Sequence, residues 1–291
     1  VGGRRGRRRY TPAMAAGEFP GVSAQSWVPL LIGTALPARP FASGAGLVDL
    51  LATAGYAAGA TRVGLSRLCA DGSLERRRDG RQTSYRLGRQ MAETVTSVGG
   101  RVESFGRSVG WDGSWTIVLA SVPDELRSTR RRMKSALAYL GFGRLRETTW
   151  VAARACEDEV KDLVESLDLA DLVDVFVGRP SALADVDAIL HRCWDLGSLT
   201  QRYSAFVARF APLRAAGSRD ALTGPDALLW WMRLTHDYRE LVYRDPELPP
   251  EFLPTAARAL REQVVDTYAT AHGGLDGRAT AQVRHALGID R

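Results

Sequence analysis

An α+β chain is predicted, with an N-terminal winged helix-turn-helix, a central ferredoxin-like β-α-β-β-α-β domain and a C-terminal helical domain. Three observations predict it. Residues 23–90 carry three short helical patterns and then two strand patterns around an Asp79–Gly80 turn. Residues 111–180 alternate β-rich and amphipathic helical segments. Residues 181–291 carry helical periodicity throughout.

The elements follow in order. Residues 1–22 are rich in Gly, Arg, Pro and Ala without apolar periodicity, and read as a disordered basic arm. Ser26 can cap a first helix from Trp27 to Leu36, which places Pro29 in its first turn. Leu47–Ala54 is a second helix with Leu47, Val48, Leu50 and Leu51 as its apolar face, ended by Gly55. A third helix runs from about Gly59 to Ala70 and stops at Asp71–Gly72. Strands near Leu74–Arg77 and Thr83–Leu87 make a hairpin. Residues 91–110 read as a linker with at most a short helix.

In the central region WTIVLASV (115–122), a short strand near Phe142–Leu145, TTWVA (148–152) and LVDVFVG (172–178) read as strands. Helices fill the gaps, from Pro123–Asp124–Glu125 to about Leu140 and from Glu157 to Leu167. That is the ferredoxin-like order over 111–180. Helices at 185–195, 198–215, 225–241 and 255–271 complete a helical C-terminal domain over 181–291, expected to serve dimerisation and effector binding.

Bulk properties narrow the function. With 45% hydrophobic and 25% charged residues among 291, the chain can bury sizeable cores. No apolar run is long enough to span a bilayer and the basic start lacks a signal-peptide core, so a cytoplasmic protein without a membrane partner is expected. Cys69, Cys156 and Cys193 are far apart and odd in number, which suits buried thiols rather than disulfides. Residues 1–110 hold 16 Lys/Arg against 7 Asp/Glu, whereas the remainder holds 23 against 26. A basic front and a slightly acidic back point to a polyanion met by the front.

The third helix gives that partner a place. At 100° per residue from Arg62, the residues Thr61, Gly64, Leu65 and Leu68 fall between about 200° and 300°. Arg62, Val63, Ser66 and Arg67 occupy the opposite side. Two guanidinium groups, a hydroxyl and a small apolar group suit a major groove, where Arg pairs with guanine O6 and N7 and Val can touch a thymine methyl. The hairpin sequence ERRRDGRQTSYRL (75–87) adds Arg76, Arg77, Arg78 and Arg81 around the turn, with Ser84 beside them, for phosphate contact. Each phosphate neutralised releases counterions and steepens the salt dependence of binding. An amphipathic surface helix and a solvated charge run are the plain alternatives for each part alone. Their close spacing favours a double-stranded DNA operator.

The stretches SAQSWVPLLIGTAL (23–36), TRVGLSRLCADGSLERRRDGRQTSYRL (61–87), GWDGSWTIVLASVPDELR (110–127), YLGFGRL (139–145) and TTWVA (148–152) resemble blocks of the PaaX family of repressors. So do WDLGSLTQRYSAFVARFAPL (194–213) and HDYRELVYRDPELPPEFLP (236–254). The resemblance implies a winged-helix head, a central domain similar to a small CRISPR adaptation nuclease, and a helical C-terminal domain. It further implies a homodimeric repressor of a catabolic operon, of the phenylacetate type, released by an aryl- or acyl-coenzyme A effector such as phenylacetyl-CoA. At 62–64 the family commonly has Arg-Thr-Ala where this chain has Arg62-Val63-Gly64, so the operator is expected to differ from that of the type member.

Other chemistries fit the sequence less well. A metal-dependent nuclease would use Asp124 after the first central strand, but its place before a helix reads as an N-cap. His191, His236, His272 and His285 lie on separate segments without metal-ligand spacing, and no nucleophile elbow or phosphate loop is present. No catalytic residue, metal site or cofactor is expected. Docking of the winged head on a protein partner is the other rival. In the C-terminal domain Trp231, His236 and Arg239 lie near one another on one predicted helix and form a candidate effector site, set against a plainer role bracing the turn RDPELPP (244–250).

Overall fold

A computed structural model describes Phe19 and residues 21–36, 38–107 and 111–289. Nearly all of the expected arm at 1–22 therefore lies outside the described residues. The chain divides into two compact units. One takes the described residues up to Glu103 with Phe210–His236 and Thr267 onward, and the other takes Ser104–Arg209 with Asp237–Asp266. The α+β class holds, and the residues expected as one helical domain over 181–291 are shared between the units.

The first unit opens with α1 (Ala24–Gly33), β1 (Ala42–Ser43), α2 (Gly44–Thr53) and α3 (Ala58–Ala70). Helix α1 begins three residues before the expected start. Ser23 is its N-cap, and Pro29 sits in the second turn rather than the first. The early start is set by burial: Trp27, Val28, Leu31 and Ile32 form one apolar stripe in the core. Tyr56 links this stripe to the chain ahead of it. Its hydroxyl accepts the Trp27 indole N–H at 2.7 Å and donates to the Val22 carbonyl at 2.9 Å.

Ser43 caps α2 by accepting from the Gly46 amide at 3.2 Å, so α2 starts earlier than its apolar pattern suggested. Leu47, Leu50 and Leu51 are buried as expected, while Val48 is half-buried. In α3 the buried residues are Thr61, Gly64, Leu65 and Leu68, the four placed on one side by periodicity. A Cβ at Gly64 would lie 2.9 Å from Cβ of Gln25, so glycine lets α1 and α3 approach closely. That contact accounts for a residue that lowers helix propensity by about 1 kcal/mol relative to Ala.

The hairpin comprises β2 (Leu74–Asp79) and β3 (Gln82–Leu87), and the sheet order is β1-β3-β2. Its two-residue loop is Gly80–Arg81, one residue later than the expected Asp79–Gly80. Gly80 has φ +56° and Arg81 does not share the positive region, matching a turn that wants Gly at its first central position. Then α4 (Arg89–Ser104) occupies most of the segment expected as a linker.

In the second unit, β4 (Trp115–Ala120), α5 (Arg127–Tyr139), β5 (Gly143–Arg144), β6 (Thr149–Ala152), α6 (Glu157–Leu167) and β7 (Val173–Gly178) form an antiparallel sheet of order β5-β6-β4-β7. The two helices bury Met133, Leu137 and Val160 against Val118, Ala120, Trp150 and Ala152. Asp124 does not cap α5. It lies in a 3-10 turn and pairs with Arg130 at 2.7 Å, with Pro123 ahead of it in extended backbone.

The remaining helices are α7 (Val186–Cys193), α8 (Leu196–Phe210), α9 (Ala216–Asp220), α10 (Gly224–Tyr243) and α11 (Thr255–Leu287). Helix α11 runs sixteen residues past its expected end. Its burial explains the continuation, because Leu275, Ala279, Val283 and Leu287 are all at most 1% exposed. No helix among the described residues is long and apolar enough to cross a membrane. The three cysteines are free, but only Cys156 is buried; Cys69 and Cys193 are half-buried. Burial pushes all three thiols up, Cys193 to about 11.

Candidate nucleic-acid interface

Burial of one side of α3 fixes what the other side presents. Arg62, Val63, Ser66 and Arg67 are exposed, Val63 at 52%. Arg62 and Ser66 turn toward the hairpin and line a groove of about 850 Å³. The opposite wall comes from Arg76, Arg77, Arg78, Arg81 and Ser84. Arg67 and Val63 lie outside this groove, on the far flank of α3. Five arginines face two aspartates, Asp49 and Asp79, among the groove residues, so its field favours an anion.

The pleat of the hairpin sorts its arginines. Leu74 pairs with Leu87 and Arg76 with Tyr85, while Glu75 pairs with Arg86 and Arg77 with Ser84. Alternation thus puts Arg76 and Arg78 on the face of buried Leu74 and Leu87, and Arg77 on the other. Burial pushes the Cys69 thiol of α3 up while the Arg76 guanidinium, which lines the same groove, pulls it down.

Beside Arg77 the Phe41 ring, itself a groove residue, lies close to two guanidinium groups. The Arg77 Cζ is 4.2 Å from its centroid and that of Arg86 is 4.8 Å away. Glu75 accepts from Arg86 at 2.8 and 2.5 Å and from Arg39 at 3.2 Å. Arg39 also donates to the Leu87 carbonyl at 2.6 Å. The Arg86 hydrogen bond holds the Glu75 carboxyl below the usual range. Sequence reasoning did not select Arg39, Phe41, Glu75 or Arg86. The cross-strand pairing of Glu75 with Arg86 follows only from the Gly80–Arg81 turn, and a turn set one residue earlier hides it.

The residues considered for an effector are placed differently. Trp231 is 3% exposed and its indole N–H is donated to Asp276 at 2.9 Å. His236 is half-buried, with its ring 5.2 Å from that of Trp27. Arg239 is half-buried and belongs to the other unit. The turn 244–250 is braced by other groups. Asp245, 1% exposed, accepts from the Tyr203 hydroxyl, from Arg261 at 3.0 Å and from the Glu247 amide at 2.7 Å. Arg261 donates to the Leu248 carbonyl at 2.8 Å as well. Among the described residues no group of three or more His, Cys, Asp or Glu could hold a metal ion.

These features define an α+β protein whose basic head of helices and hairpin precedes a four-stranded sheet domain and further helices. Comparison with known proteins assigns its family. The PaaX-like protein family matches residues 23–91, the PaaX protein central Cas2-like domain matches 108–190, and the PaaX-like protein C-terminal domain matches 194–272. The transcriptional repressor PaaX of Escherichia coli (strain K12) is 31% identical over 232 residues, covering 76% of this chain and 72% of that protein. The chain belongs to the PaaX family. A solved structure, protein Rv0674 from Mycobacterium tuberculosis, shares the fold with a TM-score of 0.54 and 23% identity, over 88% of this chain and 98% of that one.

Proposed function

We propose that the protein is a transcriptional repressor that binds an operator through residues 23–90, used as a winged helix-turn-helix. Helix α3 reads the major groove with Arg62 and Ser66, and with Val63 and Arg67 on its flank. The hairpin is the wing, and Arg76, Arg77, Arg78, Arg81 and Ser84 meet phosphates or the adjacent minor groove. One observation carries this reading. Arg62 and Ser66 of α3 and the arginines of the hairpin line one groove, while Thr61, Gly64, Leu65 and Leu68 are turned inward.

The order β5-β6-β4-β7, with two helices on one face, supports a ferredoxin-like reading of residues 111–180. A nuclease on that domain is disfavoured, because Asp124 is held by Arg130 in an exposed turn. The protein is read as a cytoplasmic homodimer whose helical C-terminal residues 181–291 serve dimerisation and sensing. Two-fold symmetry lets a small head gain affinity from two half-sites. The effector is an aryl- or acyl-CoA thioester, as in the resemblance to the phenylacetate-type repressor. It acts by favouring a state whose two heads no longer match the operator spacing.

The test is a gel shift of the full chain on DNA upstream of its own gene, against a scrambled duplex, with and without phenylacetyl-CoA. The proposal expects a specific complex that the thioester dissolves. Equal shifts on both duplexes, or none, would overturn the operator reading. A specific complex that ignores the thioester would overturn only the effector assignment.

A further inference from the structure

We infer that the last turn of α11 belongs to the duplex-binding surface, with His285 as a phosphate contact supplied from the far end of the chain. The inference rests on the DNA-binding reading above and extends it to residues beyond 272, where the family match ends.

Three observations carry it. His285 is exposed and lines the same groove as Arg62, Ser66 and the hairpin arginines, together with Ala286, Leu287 and Gly288. The turn is locked to the reading head: a Cβ on Gly46 would lie 1.9 Å from the Ala286 carbonyl oxygen. Only glycine at that position in α2 admits the approach. Arg284 also donates to the Thr34 carbonyl after α1 at 3.5 Å, and Val283 and Leu287 are buried beside it.

A helix C-terminus facing a polyanion is normally unfavourable, because its last carbonyls carry partial negative charge. This end is neutralised in two ways. Gly288, at φ +66°, donates its amide to the His285 carbonyl at 3.1 Å, and Ile289 donates to the Arg284 carbonyl at 3.0 Å, the pattern that closes a helix at a left-handed glycine. The last turn also carries Arg284, whose positive charge opposes the helix dipole. An imidazole keeps at least one N–H donor in either protonation state, so it can serve a phosphate oxygen.

The test measures anisotropy of a labelled duplex from the region upstream of the gene, and of a scrambled duplex, with the full chain. His285→Glu is expected to weaken both duplexes by about tenfold, and His285→Arg to restore binding and keep the salt slope. Circular dichroism should show both variants folded, since the side chain is exposed. Gly46→Ala should likewise weaken both duplexes by pushing the turn off α2. His285→Glu binding within twofold of the parent would overturn the inference. A parent protein that fails to distinguish the two duplexes would instead overturn the operator reading, whatever the variants do.

Discussion

The arginines of the hairpin are not equivalent, although the run Arg76–Arg77–Arg78 looks uniform in sequence. Arg77 lies against Phe41, which also neighbours Arg86, itself clamped by Glu75. An arginine side chain carries about 2 kcal/mol of rotamer entropy, and a preset guanidinium loses less of it on meeting a phosphate. Cation–π contact at exposed sites contributes about 0.5–1 kcal/mol. Arg77→Ala is therefore expected to weaken DNA binding more than Arg78→Ala does. Phe41→Leu should reproduce part of that loss, and in an Arg77→Ala background it should cost little more. A double-mutant cycle of duplex affinities checks this coupling; additive losses would separate Phe41 from the role of Arg77.

At the scale of single elements, α3 is held by close approach rather than by helix propensity. Gly64→Ala raises intrinsic propensity by about 1 kcal/mol, but the new methyl meets Cβ of Gln25 at 2.9 Å, with its Cα and N at 3.3 Å. Backbone atoms cannot swing aside, so a net loss of about 1–2 kcal/mol is expected, read as a lower melting temperature. A rise in melting temperature would show that α1 and α3 have room to separate.

The same helix shows where sequence alone was sufficient. Its 100° periodicity sorts Thr61, Gly64, Leu65 and Leu68 from Arg62, Val63, Ser66 and Arg67, and the structure buries the first four alone. Helix α6 begins and ends at the expected Glu157 and Leu167, where three acidic residues open an amphipathic pattern. A clear separation of apolar from polar residues at the helical period explains both successes. Where partners lie far along the chain, pattern reading failed. The last half of α11 has a weak apolar rhythm of Leu275, Ala279, Val283 and Leu287, and Gly273, Gly274 and Gly277 interrupt its helix propensity. Tertiary burial overrides that cost. The Phe41 stack depends on strand pairing, which a one-residue change of turn redirects.

Across the whole molecule, chain order and compact units do not coincide, since Phe210–His236 and the residues from Thr267 onward join the N-terminal head in one unit. The other unit is tied by a buried polar cluster. Asp245, wholly enclosed, holds Arg261 at 3.0 Å and the Tyr203 hydroxyl. Burial drives the Asp245 carboxyl and the Tyr203 phenol upward, while Arg261 opposes both shifts. Removing one member leaves a buried charge uncompensated, so Asp245→Ala should cost about 3–5 kcal/mol in denaturant unfolding. A loss below about 1 kcal/mol would mean that water replaces the carboxylate.

The basic front of the chain and the single groove shared by α3 and the hairpin make DNA binding the central claim. Its most direct test is the salt dependence of affinity for the upstream duplex, compared between the parent and a variant with Arg76, Arg78 and Arg81 all changed to Ala. The account predicts a steep slope of log K against log salt for the parent, shallower by about 0.9 for each phosphate that the variant no longer neutralises. Identical slopes for the two proteins would contradict it.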